Sequence, residues 1–231
     1  MQKALFWMLT FAFATIVLTS SAKRDHANTQ SSEKEILARR VNSMESLHVD
    51  TVGTFESAVS SAGVPGGVAI LGGCEVPSQN ALQIKNGNLR EVLERLVKAD
   101  PHFHWLLDDG VVNLIPAGGI PPFLQVRIRT FEAKDPSNMW LTADALLKLP
   151  EVQRAQSRLG LMQSFAGSIL GSAGGKIAAP SQPISVPPIH LQDVTIFEAL
   201  NAIVRANGEG VWIFNESYCR GKGAFNVSFS Q

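Results

Sequence analysis

Residues 82–109 read LQIKNGNLREVLERLVKADPHFHWLLDD, and residues 189–216 read IHLQDVTIFEALNAIVRANGEGVWIFNE. Laid together without a gap, every pair is offset by 107 positions (189 − 82). Five of the 28 pairs are identical: Glu91/Glu198, Leu93/Leu200, Val97/Val204, Ala99/Ala206 and Trp105/Trp212. Others keep their character, among them Leu82/Ile189, Ile84/Leu191, Leu89/Ile196, Leu96/Ile203 and Lys98/Arg205. An ungapped match of pattern over that length predicts one structural unit present twice. It specifies an architecture and no reaction.

Each copy opens on a short alternating run, Leu82 and Ile84 in the first and Ile189 and Leu191 in the second, which predicts a half-buried strand. A helix follows at once. Leu89, Val92, Leu93, Leu96 and Val97 fall on one face of a 3.6-residue period, as do Ile196, Ala199, Leu200, Ile203 and Val204. Asn88 and Thr195 stand at the N-caps with Glu91 and Glu198 three residues on, the pattern of a capping box. The shared glutamates thus have a structural reason to be there. Asp100-Pro101 and Asn207-Gly208 end the two helices. Trp105 and Trp212 then open the apolar runs HWLL and VWIF, read as strands. Each Trp belongs in or beside the core; stacking on a ligand is the alternative.

The remaining chain frames these copies. Lys3 and the uncharged apolar run from Ala4 to Leu18, closed by Ser20-Ser21-Ala22, predict a secretory signal cleaved before Lys23, with a retained anchor as the alternative. The 20 basic and 20 acidic residues balance, which argues against a nucleic-acid partner, and 45% hydrophobic residues suffice for a core. Cys74 and Cys219 are the two cysteines. In an oxidising compartment they predict one disulfide, and two buried thiols are the alternative. Residues 23–43 read as a polar linker becoming a surface helix near Glu33. TFESAVSSA reads as a helix capped by Thr54, and Val68 to Leu71 as a strand. Asp109-Gly110 between apolar runs signals a hairpin.

This order of TFESAV, VAIL, LQIK, LREVLERLV and HWLLDDGVVNLIP resembles the short N-terminal domain of secretins and TonB-dependent receptors. The resemblance spans roughly residues 47–116, with a partial second copy from Ile184. It implies periplasmic modules in which two helices pack on small sheets and serve docking or signalling. It carries no catalytic residues, and no barrel or secretin core follows the module in this sequence.

PAGGIPP marks the boundary between the units. Leu124, Val126 and Ile128 alternate with Gln125, Arg127 and Arg129, predicting a strand with one basic face, either solvated or able to take an anion. Trp140 to Leu149 has helical spacing, and Glu151 to Leu170 reads as its continuation. Tyr218 to Gly223 reads as a turn, and FNVSF as a final strand. The organisation expected is therefore α+β: a signal at 1–22, a polar linker and surface helix at 23–43, and a first unit at 44–116. A Pro/Gly linker at 117–122 leads to a second unit at 123–231, with a helical insertion at 138–170 and a flexible loop at 171–188.

Chemistry-bearing motifs are scarce. GSAGGK lacks the P-loop spacing, and GxSxG and HExxH do not occur. His102 and His104 share a strand face without a third ligand in pattern. Asn215 and Asn226 head sequons. No catalytic residue, cofactor or metal site is read from the chain. Two functions fit. One is an exported, non-enzymatic docking module of a bacterial envelope, periplasmic or secreted, binding an envelope or secretion-system protein through an exposed strand edge. Phe225, Val227 and Phe229 mark the edge expected from the sequence. The other is a small-molecule or glycan binder, or a hydrolase, with a site between the units using Trp105, Trp212, Arg127 and Arg129.

Overall fold

A computed structural model of the protein describes residues 32–41, 50–73, 87–164 and 186–230. The signal segment, the run from Leu82 to Lys85, Cys74 and most of the loop at 171–188 lie outside the described residues. The fold is α+β, with two related units. The first comprises α1 (32–38), β1 (Arg40–Val41), α2 (Thr51–Ser61), β2 (Gly66–Gly72), β3 (Gly87–Asn88), α3 (Leu89–Ala99), β4 (Phe103–Asp108) and β5 (Val111–Pro116). The second comprises β6 (Arg127–Ala133), α4 (Met139–Leu147), α5 (Pro150–Leu159), β7 (Leu161–Gln163), β8 (Ile189–Thr195), α6 (Ile196–Asn207), β9 (Val211–Cys219) and β10 (Lys222–Ser230).

The capping boxes form in both copies. Asn88 and Thr195 accept the amides of Glu91 and Glu198, and each glutamate reaches back to its cap amide. Two-residue turns at Asp109-Gly110 and Arg220-Gly221 close the β4–β5 and β9–β10 hairpins, all four residues having positive φ, as a primed turn requires.

The second unit is a whole copy, not a partial one. β1 pairs β3 as β6 pairs β8, both antiparallel. β2 runs parallel to β5 as β7 runs parallel to β10. Residues 138–163 are therefore no insertion: α4, α5 and β7 answer to α2 and β2. The sequence reading continued α5 towards Leu170, but Gly160 takes the left-handed conformation at φ 64° and turns the chain into β7.

Three other boundaries move. α2 begins a turn earlier than expected, capped by Asp50, whose side chain accepts the amide of Gly53 at 2.7 Å. The strand expected at 124–128 begins at Arg127. Leu124 and Val126 lie before it, where their carbonyls accept the amides of Phe197 and Ile196 at 2.9 and 3.0 Å. They thus satisfy donors of the first turn of α6 that no intrahelical partner could reach. The turn expected at 218–223 shrinks to Arg220-Gly221.

The units join edge to edge. β2 pairs β9 in parallel from Gly66/Val211 to Gly72/Ser217, making one six-stranded sheet in the order β4-β5-β2-β9-β10-β7. Across it, each unit keeps the same left-to-right order, but β9, β10 and β7 run opposite to their counterparts β4, β5 and β2. A half-turn about an axis lying across the sheet relates the units, and such a turn also exchanges faces. Accordingly, α2 and α3 pack over Val68, Val112, Leu114 and Val211 on one face. Helices α4, α5 and α6 cover Ala69, Val111, Ile115, Trp212 and Phe214 on the other. β5 and the start of β2 are consequently buried on both sides.

Candidate docking edge

β4 ends the sheet, and its backbone can be accounted for residue by residue. The two-residue turn closes on the Asp108/Val111 pair, and the Ala117 amide donates to the His102 carbonyl at 2.7 Å. Bonded and non-bonded pairs alternate along an antiparallel ladder. His104, Leu106 and Asp108 therefore turn their amides and carbonyls to β5, while Phe103, Trp105 and Leu107 turn theirs outward. The Phe103 amide is taken by the Asp100 carbonyl at 3.3 Å. Among the described residues, no strand pairs with the outer side of Trp105 and Leu107.

Side chains flank this edge on both faces. Trp105 is partly exposed and packs on the first core, with the Arg90 guanidinium 5.6 Å from its ring centre. Beside the other face runs a groove of about 550 Å³, lined by Leu106, Leu107, Ile120 and Phe197, with Asp108, Gln125 and the cap pair Thr195 and Glu198 at its polar rim. The rim is fixed from several sides: Asn201 donates to Asp108 at 2.9 Å, and Arg205 pairs with Asp109.

The residues singled out from sequence do not gather into one site. Trp212 is fully buried under α6, its indole N–H donating to Asn201 at 2.8 Å and its ring edge-on to Phe197. Arg127 pairs with Asp193 at 2.9 Å on the surface of the β6–β8 ribbon, and the amide of Arg129 donates to Glu151 at 3.2 Å. None of the clefts described here is lined by these four residues. β10 pairs with β9 along its length and with β7 only at residues 223–225, so Phe225 is paired on both sides, while among the described residues no strand pairs with the outer side of Val227 and Phe229. Phe225 is 1% exposed and Phe229 9%. That run closes its own sheet on the β9 side. Arg90, Leu106, Asp108, Phe197 and Asn201 were not foreseen as a group. Only the repeat, which sets Arg90 against Phe197, hints at them.

Other titratable groups have local explanations. Burial works to raise Asp100, but hydrogen bonds from Thr51 and His102 outweigh it and hold the carboxyl below its ordinary value. Burial pushes the Glu216 carboxyl up, against a hydrogen bond from Tyr218. A second cleft, of about 300 Å³, lies between α2 and the second unit, where Ser230 donates to Glu56 at 2.5 Å. No group of three metal-ligating side chains occurs among the described residues, nor is any helix there long and apolar enough to cross a membrane. Compared with known proteins, the chain matches no family model, no curated protein and no solved structure.

Proposed function

We propose that this is an exported, non-enzymatic docking module of the cell envelope, holding a protein partner by adding an extended segment of it to the outer edge of β4. The observation that carries the reading is the outward backbone of Trp105 and Leu107, set beside an apolar groove. Strand addition draws affinity from main-chain bonds and selectivity from alternate side chains, and this edge offers both. Export follows from the leader-like residues 1–22, and docking agrees with the resemblance to the short N-terminal domains of secretins and TonB-dependent receptors. The test is capture from the native envelope fraction by the wild type and by Leu107→Pro, a change that removes one outward amide and leaves the β4–β5 ladder intact. A partner held by the wild type and lost by a folded Leu107→Pro variant supports the reading. Equal capture by both removes β4 from the interface.

A further inference from the structure

The seam inside the molecule describes the ligand of its open edge. β9 is the counterpart of β4, Trp212 of Trp105, and Phe197 of Arg90, each pair offset by 107. The two tryptophans lie alike: each faces the helices of its own unit and is covered by the residue after the first in the capped helix, Phe197 at 5.7 Å between ring centres and Arg90 at 5.6 Å to the ring centre. They differ in what lies beside them. β9 has its outer edge filled by β2, and Trp212 is fully buried there. The outer edge of β4 has no neighbour among the described residues, and Trp105 is partly exposed.

The occupant of the β9 edge is GGVAILG, running parallel. Its fit is set by Trp212, whose ring lies across Gly67: a Cβ there would be 2.2 Å from the indole. The Gly66 amide donates to the Gly210 carbonyl at 3.0 Å, so an incoming strand bonds the outward groups of its host. On β4, Phe103, Trp105 and Leu107 present those groups. The register of the seam transfers directly. Gly67 stands opposite Trp212, Val68 opposite Ile213 and Ala69 opposite Phe214; their counterparts on β4 are Trp105, Leu106 and Leu107.

We infer that the β4 edge takes a parallel, uncharged extended segment with glycine opposite Trp105, a small residue opposite Leu107, and a branched apolar residue opposite Leu106. This inference rests on the docking reading above and names its ligand. The glycine lets the indole close over the incoming backbone, as it does at Gly67. The residue opposite Leu106 points to the groove face and fills the space against Ile120 and Phe197.

The probe is the end-capped heptapeptide GGVAILG, titrated into the full chain alongside GLVAILG. The wild type should bind the first and lose at least about tenfold in affinity for the second, the cost expected of forcing a bulky group into a filled site. Trp105→Ala should bind the two within about twofold, because the ring that selects glycine is gone. Leu107→Pro should lose the glycine peptide. Equal binding of both peptides by the wild type overturns the inference, as does no binding of either. Binding that survives Leu107→Pro also overturns it, since that signal is exchange at the β9 seam. A native partner that depends on Leu107 while the glycine peptide fails to bind leaves the docking reading standing and this inference refuted. The peptide-side substitution needs no altered protein, so misfolding cannot mimic the result.

Discussion

A Cβ added at Gly67 would fall 2.2 to 2.4 Å from three atoms of the Trp212 indole, deep in the sheet. Gly67→Ala should therefore destabilise by about 1–3 kcal/mol or more, as overpacking does. Coupling with Trp212→Leu in a double-mutant cycle, followed by urea unfolding, should recover part of that loss. Glu216 supplies a pH-dependent counterpart. Its side chain is buried, and its Oε2 has no partner among the described residues. A carboxyl whose folded value is raised binds its proton more tightly in the folded protein. Its contribution is full below the unfolded value near 4.5 and is lost as pH rises through the folded one. Glu216→Gln should hence gain melting temperature over the wild type between about pH 4 and pH 7, and a gap that stays flat across that window would count against it. The sequence offered Trp105 and Trp212 as a matched pair, and their core-facing reading holds. It did not offer Asp108, Asn201 and Trp212 as a chain of hydrogen bonds, because contacts 93 positions apart have no local pattern.

The helices were the most readable elements, since a capping box and an apolar stripe are both written within a dozen residues. Leu93 and Leu200 are each fully buried in the middle of such a stripe. Leu93→Ala and Leu200→Ala should cost similar stability, about 2–5 kcal/mol each. Glu91→Ala and Glu198→Ala should cost about 1 kcal/mol each, as lost caps do. Denaturant midpoints decide both comparisons, and a large inequality within either pair would break the equivalence of the units. Elements were misread where burial arises from a distant neighbour. Phe123 and Leu124 are buried beside α6, and the alternation that mimicked a strand there reflects that packing rather than a ladder. Likewise, nothing local marks Gly160 as the stop of α5 until β10 is present to receive β7.

At the scale of the whole molecule, the duplication was legible, but the way its halves combine was not, because edge pairing between β2 and β9 joins residues 145 positions apart. Cys74 lies outside the described residues, and Cys219 ends β9. As the two cysteines of a chain read as exported, they are predicted to form one disulfide, with a chain-entropy contribution of about 5 kcal/mol before strain. Thiol titration under denaturant checks it, and two free thiols in exported protein would sink it.

The face exchange between the units has one more consequence, which concerns where the chain can be broken. Ala69, Val111 and Ile115 belong to the first unit but are roofed by helices of the second. Neither half can hide its own apolar surface. The boundary at 117–122 is thus a seam in the covalent chain only. Fission between Gly118 and Gly119 should yield two polypeptides that are each insoluble when expressed alone. Made together, they should co-purify as a reconstituted sheet, in the manner of a split reporter whose signal is the closing of β2 on β9.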